Sequence, residues 1–175
     1  MEILIQNGFM ADQEYPPIKV ISPNVFYAEL LMDDFAGKES ELTCGLQYMF
    51  HSYDTESKSK EISEGLRQIA MVEGYHQDVL AKLIVRLGRN PVYRAGYASE
   101  REYWNGSMVF YGRKIEEQLQ MDLEQEYRSI RNYNTHIQMI SDPNIKGILR
   151  RIILDEEQHI LWLKRMLKML NTEMK

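Results

Sequence analysis

The sequence has few of the residues that build thiolate metal sites or interrupt helices. Its single cysteine, Cys44, excludes an intramolecular disulfide and every zinc or iron centre that needs several thiolates. The 175 residues include only five prolines and ten glycines, and long stretches without either favour helices. No apolar run reaches the ~18 residues of a membrane span, and the start of the chain lacks a basic segment followed by an apolar one. We therefore expect a cytoplasmic protein that is not inserted in a membrane.

The charge pattern excludes one further class of partner. The net charge is −5, and the 21 basic residues are scattered along the chain instead of forming a cluster. Nucleic acid is therefore not an expected partner, because binding to phosphates requires a basic patch. Hydrophobic residues make up 44% of the chain and charged residues 27%, which is typical of one globular domain of this length.

The breaker residues divide the chain into an irregular start and four helices. Residues 1–23 are predicted to be an irregular N-terminal extension, because Pro16 and Pro17 prevent a helix there. Residues 24–175 are predicted to form one all-α domain, a four-helix bundle of two antiparallel helix pairs joined by a long crossover. The helices are predicted at 24–54, 59–88, 108–140 and 144–171, with a possible break near Gly37 in the first. The region 89–107 would be the crossover.

Two of these helices carry the same short motif on their apolar faces. Helix 59–88 contains Glu73 and His76, and helix 144–171 contains Glu156 and His159. Residues three apart on a helix are neighbours, so each pair can present a carboxylate and an imidazole to one point. Because an unpaired buried carboxylate is costly, charged groups on an apolar face indicate a specific role.

The other two helices each offer a matching glutamate. Glu41 is followed seven residues later by Tyr48, and Glu126 is followed at the same spacing by Tyr133. Seven residues are two helical turns, so each tyrosine lies on the same face as its glutamate. Counted from the predicted turns at ~1.5 Å per residue, the glutamates of each hairpin lie at similar heights. The four glutamates and two histidines can therefore converge at the middle of the bundle.

One glutamate from each of two helices and Glu-x-x-His from the other two is the pattern of di-iron and di-manganese bundle proteins. The sequence resembles the ferritin-like superfamily, on the rubrerythrin and bacterioferritin side, over most of its length. The resemblance implies that Glu73 and Glu156 bridge two ions, that each ion takes one histidine, and that the remaining glutamates are terminal ligands. The implied metal ligands are Glu41, Glu73, His76, Glu126, Glu156 and His159.

The resemblance also implies roles for residues beside the ions. Tyr48, Tyr133 and Asp155 match residues that support catalysis, and Asp155 would orient His76 through its other ring nitrogen. The pattern has a second orienting aspartate, but this chain has Val72 there, so His159 needs another partner. Gly74 stands where bacterioferritins carry a haem-binding methionine, so no haem is expected.

Four further residues have competing interpretations. His51 and His136 each follow a tyrosine of the pattern by three residues. They either flank an ion or proton path or, as we expect, are polar positions near a bundle end. Asp122 is either an acceptor beside the site or solvated helix surface. Cys44 lies one turn from Glu41, where a buried small residue is more common than a redox-active thiol.

These residues predict redox chemistry at two iron ions, with manganese possible. Two ferrous ions can bind an O–O unit between them and supply two electrons, so hydrogen peroxide or dioxygen is the expected oxidant. Since the chain has no thiolate iron centre, electrons must come from an external donor or from Fe(II). The alternatives are a manganese catalase and an iron-binding or storage protein. The chain ends five residues after Leu170, without a cage-forming fifth helix, which favours a homodimer.

Overall fold

The computed structural model of the protein describes residues 8–173, except for the side chains of Ala98 and Glu173. This part of the chain forms five α-helices and two short 3-10 turns. The α-helices are α1 (Val25–Ala36), α2 (Glu41–Thr55), α3 (Lys60–Arg86), α4 (Ile115–Met139) and α5 (Pro143–Glu173). The long helices α2 and α3 pack against each other as one hairpin, and α4 and α5 pack as the other. The predicted all-α four-helix bundle with one crossover is confirmed.

The first predicted helix is two helices, and the possible break near Gly37 is where it divides. Helix α1 begins after Asn24, whose side chain accepts a hydrogen bond from the Tyr27 backbone at 3.1 Å. It ends at Ala36, and Ser40 then caps α2 by accepting a bond from the Thr43 backbone at 3.3 Å. A serine at this position satisfies a free N–H group of the first turn and so begins a new helix. Glu41 is therefore the first residue of α2.

The third predicted helix begins seven residues later than expected, at Ile115 instead of residue 108. The cause is Phe110, whose backbone groups bond to α2 instead of to its own segment. Its N–H donates to Gln47 Oε1 at 2.9 Å, and its carbonyl oxygen lies 2.9 Å from His51 Nε2. These contacts hold the end of the crossover against α2, and the helix starts only after them.

The apolar core consists of two clusters, one on each side of the middle of the bundle. Along α3, Leu66 belongs to one cluster and Leu83 to the other. Along α5, Ile152 and Leu163 are divided in the same way. All four side chains are fully buried, and a buried leucine or isoleucine stabilises the fold by about 1.5–3 kcal/mol. The two motif pairs therefore lie between two apolar layers.

The part of the N-terminal extension that is described packs against α3 and α5. Phe9 is buried against Trp162, with ring centroids 5.8 Å apart, and Tyr15 packs edge-on against Tyr75 at 5.0 Å. Residues 1–7 lie outside the described residues, and the division of the chain at residue 23 stays a prediction. Within residues 8–173, no helix is long and apolar enough to cross a membrane.

Candidate metal centre

The bundle brings the six predicted ligands together between the two apolar layers. Their donor atoms form two groups, in each of which all atoms lie within 4.8 Å of one another. The two groups share Glu73 and Glu156 and differ in their remaining members. The first group is Glu41, Glu73, His76 and Glu156, and the second is Glu73, Glu126, Glu156 and His159. This sharing is the arrangement expected of two bridging and two terminal carboxylates.

Both histidines turn the same ring nitrogen towards the carboxylates. Nδ1 of His76 lies 3.3 Å from Glu41 Oε2, 3.4 Å from Glu73 Oε2 and 3.4 Å from Glu156 Oε1. Nδ1 of His159 lies 3.0 Å from Glu156, 3.2 Å from Glu73 and 3.4 Å from Glu126. Each imidazole therefore faces one terminal and both bridging carboxylates. That the six residues are ligands stays a prediction.

Several carboxylate oxygens of the cluster have no hydrogen-bond donor among the described residues. These buried atoms are both oxygens of Glu73, Oε2 of Glu126 and Oε1 of Glu156. Leaving a buried charged group unsatisfied is costly, whereas coordinating a cation compensates for the lost solvation. Four ionised glutamates also carry a charge that two divalent cations would neutralise. The donor atoms present therefore fit a pair of divalent ions.

The pKa values divide the four glutamates into two pairs. Burial, together with repulsion from neighbouring glutamates, raises the pKa of Glu41 and Glu126. Burial acts in the same direction on Glu73 and Glu156, but contacts with Glu41 and the two histidines lower the pKa of Glu73, and contacts with the two histidines lower that of Glu156. The carboxylates shared by both groups therefore remain ionised most easily, as bridging ligands must.

The histidines respond to the same cluster of negative charge. Burial alone would lower the pKa of His159, but Glu126, Glu156 and Glu73 outweigh it and raise the pKa. The pKa of His76 is also raised. The acidic groups around it favour the protonated imidazole and outweigh the effect of its burial. Without an ion, these imidazoles bind protons that a metal would displace.

The outer ring nitrogens of the two histidines have different partners. Nε2 of His76 lies 3.1 Å from Asp155 Oδ2, where the sequence predicts an orienting carboxylate. Nε2 of His159 lies 3.1 Å from the backbone carbonyl oxygen of Phe9. Phe9 is the partner that His159 was expected to need. The sequence carries no signal for it, because every residue has a carbonyl group.

Each tyrosine of the duplicated pattern contacts the glutamate of the other hairpin. The Tyr48 hydroxyl on α2 donates a hydrogen bond to Glu126 on α4, and the Tyr133 hydroxyl on α4 donates one to Glu41 on α2. Burial raises the pKa of both phenols, and the adjacent glutamates raise it further. The tyrosines therefore keep their protons and act as donors to the terminal carboxylates.

The two remaining histidines pair with aspartates at the sides of the cluster. His51 Nδ1 lies 2.9 Å from Asp122 Oδ2, and both side chains are fully buried. Asp122 is thus an acceptor beside the site, and its interpretation as solvated surface is wrong. His136, in the last turn of α4, has its Nδ1 2.7 Å from Asp34 Oδ2, and the explanation of both histidines as polar positions near a bundle end stays a prediction. Asp34 was missed, although it lies seven residues before Glu41.

Cys44 is buried beside the glutamate cluster and does not have the character of a reactive thiol. Its side chain is 2% exposed. Burial raises its pKa well above the ordinary value, and the neighbouring glutamates raise it further. The protonated form of a cysteine is a poor nucleophile and a poor metal ligand. This environment agrees with the interpretation of Cys44 as a buried small residue.

Comparison with known proteins gives the fold and the family. The family model for rubrerythrin matches residues 35–167. A manganese catalase from Anabaena has a similar structure, with a TM-score of 0.81 and 22% identity over 93% of this chain and 81% of that one. The bacterioferritin BfrA of Mycobacterium tuberculosis has a TM-score of 0.71 and 24% identity, over 87% of this chain and 90% of that one. A bacterioferritin with a diiron site from Desulfovibrio desulfuricans has a TM-score of 0.72 and 21% identity, over 84% of this chain and 81% of that one.

At these identities the structural likeness shows the ferritin-like fold alone. No curated protein matches the sequence significantly.

Proposed function

The chain belongs to the rubrerythrin family, and on that basis we propose that it is a di-iron oxidoreductase. In this proposal it reduces hydrogen peroxide or dioxygen with electrons from an external donor or from Fe(II). One observation carries the proposal: two overlapping groups of buried donor atoms share Glu73 and Glu156, and several of their oxygens have no hydrogen-bond donor.

The types of donor atom agree with iron. Glutamate oxygens stabilise the ferric state, and the neutral imidazoles of His76 and His159 suit the ferrous state, so the set tolerates both. Two ferrous ions bound here would supply two electrons, which reduce hydrogen peroxide to water or dioxygen to hydrogen peroxide. The same set binds manganese, since ligand type alone does not select between the two metals.

The surrounding side chains would hold the ligands in place during a change of oxidation state. Tyr48 and Tyr133 restrain the terminal glutamates from the opposite helix, and Asp155 restrains His76. Because each of these contacts is buried, water does not compete for it, and the carboxylates keep their orientation. In this proposal Tyr48, Tyr133 and Asp155 are positioning residues.

In this proposal, a cavity of about 170 Å³ between α2 and α3 would give a small oxidant a path to the cluster. It is lined by Glu41 at the ligand end and by Gly45, Ala70 and Gly74 along its walls. A Cβ atom placed on Gly74 would meet nothing within 4 Å, so the space beside this residue is open. This cavity is smaller than the roughly 300–1,000 Å³ of typical ligand pockets and is large enough for hydrogen peroxide or dioxygen.

The test begins with the metal content of protein purified without added metals. Anaerobic stopped-flow mixing of the ferrous protein with each oxidant then measures the reaction. We expect two iron ions per chain, faster oxidation by hydrogen peroxide than by dioxygen, and turnover only with a reductant. Two manganese ions with sustained oxygen release from peroxide and no reductant would establish the alternative, a manganese catalase. Slow accumulation of ferric iron beyond two ions per chain would instead indicate storage.

A further inference from the structure

We propose that residues 9–15 are part of the metal centre, because they position both of its histidines. The Phe9 carbonyl group sets the orientation of His159, and the Tyr15 hydroxyl and the Ala11 N–H group set that of His76 through Asp155. This inference rests on the proposed metal centre, and it assigns a role to a segment outside the family's four-helix pattern.

The contact with Phe9 determines which nitrogen of His159 can bind metal. A backbone carbonyl oxygen only accepts hydrogen bonds, so Nε2 of His159 must carry the proton in the 3.1 Å contact. In a neutral imidazole the other nitrogen, Nδ1, then has a free lone pair. Nδ1 is the atom that faces Glu73, Glu126 and Glu156. The segment therefore selects the tautomer that a metal ligand requires.

Asp155 plays the same part for His76, and the segment holds Asp155. Its Oδ2 accepts from the Tyr15 hydroxyl at 2.6 Å and lies 3.1 Å from His76 Nε2. Its Oδ1 accepts from the Ala11 N–H at 2.7 Å and from Arg151 at 2.6 Å. Two of its four donors thus come from residues 9–15. Without them Asp155 would keep, besides its contact with His76, only the bond from Arg151 to hold it in place.

Arg151 fastens the segment to α5. Its guanidinium donates to the Gln13 carbonyl at 2.6 Å and to the Ala11 carbonyl at 2.8 Å, and it lies 4.3 Å from the centre of the Tyr15 ring. Arg151 is 4% exposed, so these are buried, charge-assisted contacts. The N-terminal segment therefore lies in one defined position over the two histidines.

The segment compensates for an asymmetry between the two halves of the chain. Asp155 precedes Glu156, but the equivalent position before Glu73 is Val72, which cannot accept a hydrogen bond. The Phe9 carbonyl group supplies the missing acceptor at His159. The two contacts therefore act on different ions: Tyr15 acts on the one bound by His76, and Phe9 on the one bound by His159.

The test uses Co(II) as a redox-inert probe on the full chain. In Tyr15→Phe only a hydroxyl group is lost, and Phe9→Ala removes the ring that anchors the Phe9 carbonyl against Trp162. The controls are Phe9→Leu, which keeps an apolar anchor, and Tyr111→Phe, whose exposed hydroxyl bonds to Gly106 instead. Far-ultraviolet circular dichroism of the metal-free proteins checks that each variant is folded.

We expect each test variant to weaken one of the two Co(II) binding steps by about tenfold, as loss of a ligand's outer partner typically does. The proton NMR spectrum should show one exchangeable, Co(II)-shifted Nε2–H signal from each histidine. Tyr15→Phe should move one of these signals, Phe9→Ala the other, and the controls neither. If these residues had a purely structural role, their substitution would lower the melting temperature but would not shift one of the two Nε2–H signals selectively.

The outcomes separate this inference from the proposed function. If the wild-type protein binds no Co(II) pair, the metal centre itself is wrong. If it binds two ions and both test variants keep wild-type affinities and unshifted Nε2–H signals, the role of the segment is wrong. Should Phe9→Ala fail to fold, Tyr15→Phe still decides the question for His76.

Discussion

The Tyr48 hydroxyl on α2 donates a hydrogen bond to the Glu126 carboxylate on α4, across the centre of the bundle. This contact joins the two hairpins beside the proposed ions, and Tyr133 and Glu41 repeat it with the helices exchanged. Each terminal carboxylate is therefore restrained by a helix other than its own.

Replacing Tyr48 by phenylalanine should loosen Glu126 without unfolding the bundle. Loss of one buried hydrogen bond that leaves its acceptor in place costs about 1–3 kcal/mol, so the melting temperature should fall by several degrees. Binding of one metal ion should weaken, because Glu126 belongs to only one ligand group. Thermal melts and metal titration of Tyr48→Phe measure both effects, with Tyr111→Phe as the control. Unchanged metal affinity would show that Tyr48 does not position the ligand.

Removing a shared carboxylate should abolish binding of the metal pair. Glu73 and Glu156 belong to both groups, so Glu73→Ala or Glu156→Ala takes a donor from each ion. Elemental analysis and titration should then find fewer than two ions per chain. Glu157→Ala is the matched control, because Glu157 adjoins Glu156 on α5 and is exposed. A Glu156 variant that retains two ions at wild-type affinity would contradict the bridging assignment.

The stability of the metal-free protein should fall as the pH rises above about 6.5. The folded-state pKa values of His76 and His159 are raised above the ordinary 6.5, so their stabilising contribution is complete below pH 6.5 and is lost as the pH rises through the folded values. In this window the unfolded chain releases protons that the folded protein keeps. The free energy of unfolding should fall by about 1.4 kcal/mol per pH unit for each retained proton.

Metal binding should reverse this trend, because the ligands must be deprotonated to bind. The increase in melting temperature on adding Fe(II) or Mn(II) should therefore be larger at pH 8 than at pH 6. At a free metal concentration of about 1,000 times the dissociation constant, the gain is ~4 kcal/mol. Melts with and without chelator at both pH values measure it. A melting temperature indifferent to metal and chelator would contradict the centre.

Closing the cavity between α2 and α3 should slow oxidation without removing the metal. Gly74 is exposed and lines the same cavity as Glu41, so the side chain in Gly74→Leu would occupy open space at the edge of that cavity. Because glycine in a helix is costly, stability should not fall. We expect an unchanged metal content. The rate of oxidation by hydrogen peroxide should be lower by about tenfold, which corresponds to about 1.4 kcal/mol of activation free energy. Gly74→Ala is the control. Equal rates for all three proteins would show that the oxidant enters elsewhere.

Local patterns were sufficient to predict the helical bundle and the convergence of the six central residues. The two Glu-x-x-His pairs and the apolar positions around them lie within single helices, so helical spacing alone places them on one face. The late start of α4 was not predictable in this way, because it depends on contacts of Phe110 with Gln47 and His51, about sixty residues earlier in the sequence. The break before Glu41 was predictable only as a possibility from Gly37.

The partners of the central residues depend on distant parts of the chain. Phe9 and His159 are 150 residues apart, and Tyr15 and Asp155 are 140 apart. No local period relates such pairs, and a backbone carbonyl group has no sequence signature. The exchange of Tyr48 and Tyr133 between hairpins likewise follows from how α2 and α4 face each other, which spacing within one helix does not specify.

Neither hairpin contains a complete ligand group. The first supplies Glu41, Glu73 and His76, and it obtains its fourth donor, Glu156, from the second; the second borrows Glu73 in return. A bound metal pair would therefore act as a reversible cross-link between the two hairpins, and it would stabilise their association because the ions bind only where both hairpins supply donors. The connection between Leu87 and Lys114 would then not be the only link that keeps the hairpins together. A chain cleaved within this crossover should stay associated while metal is bound and separate when a chelator is added.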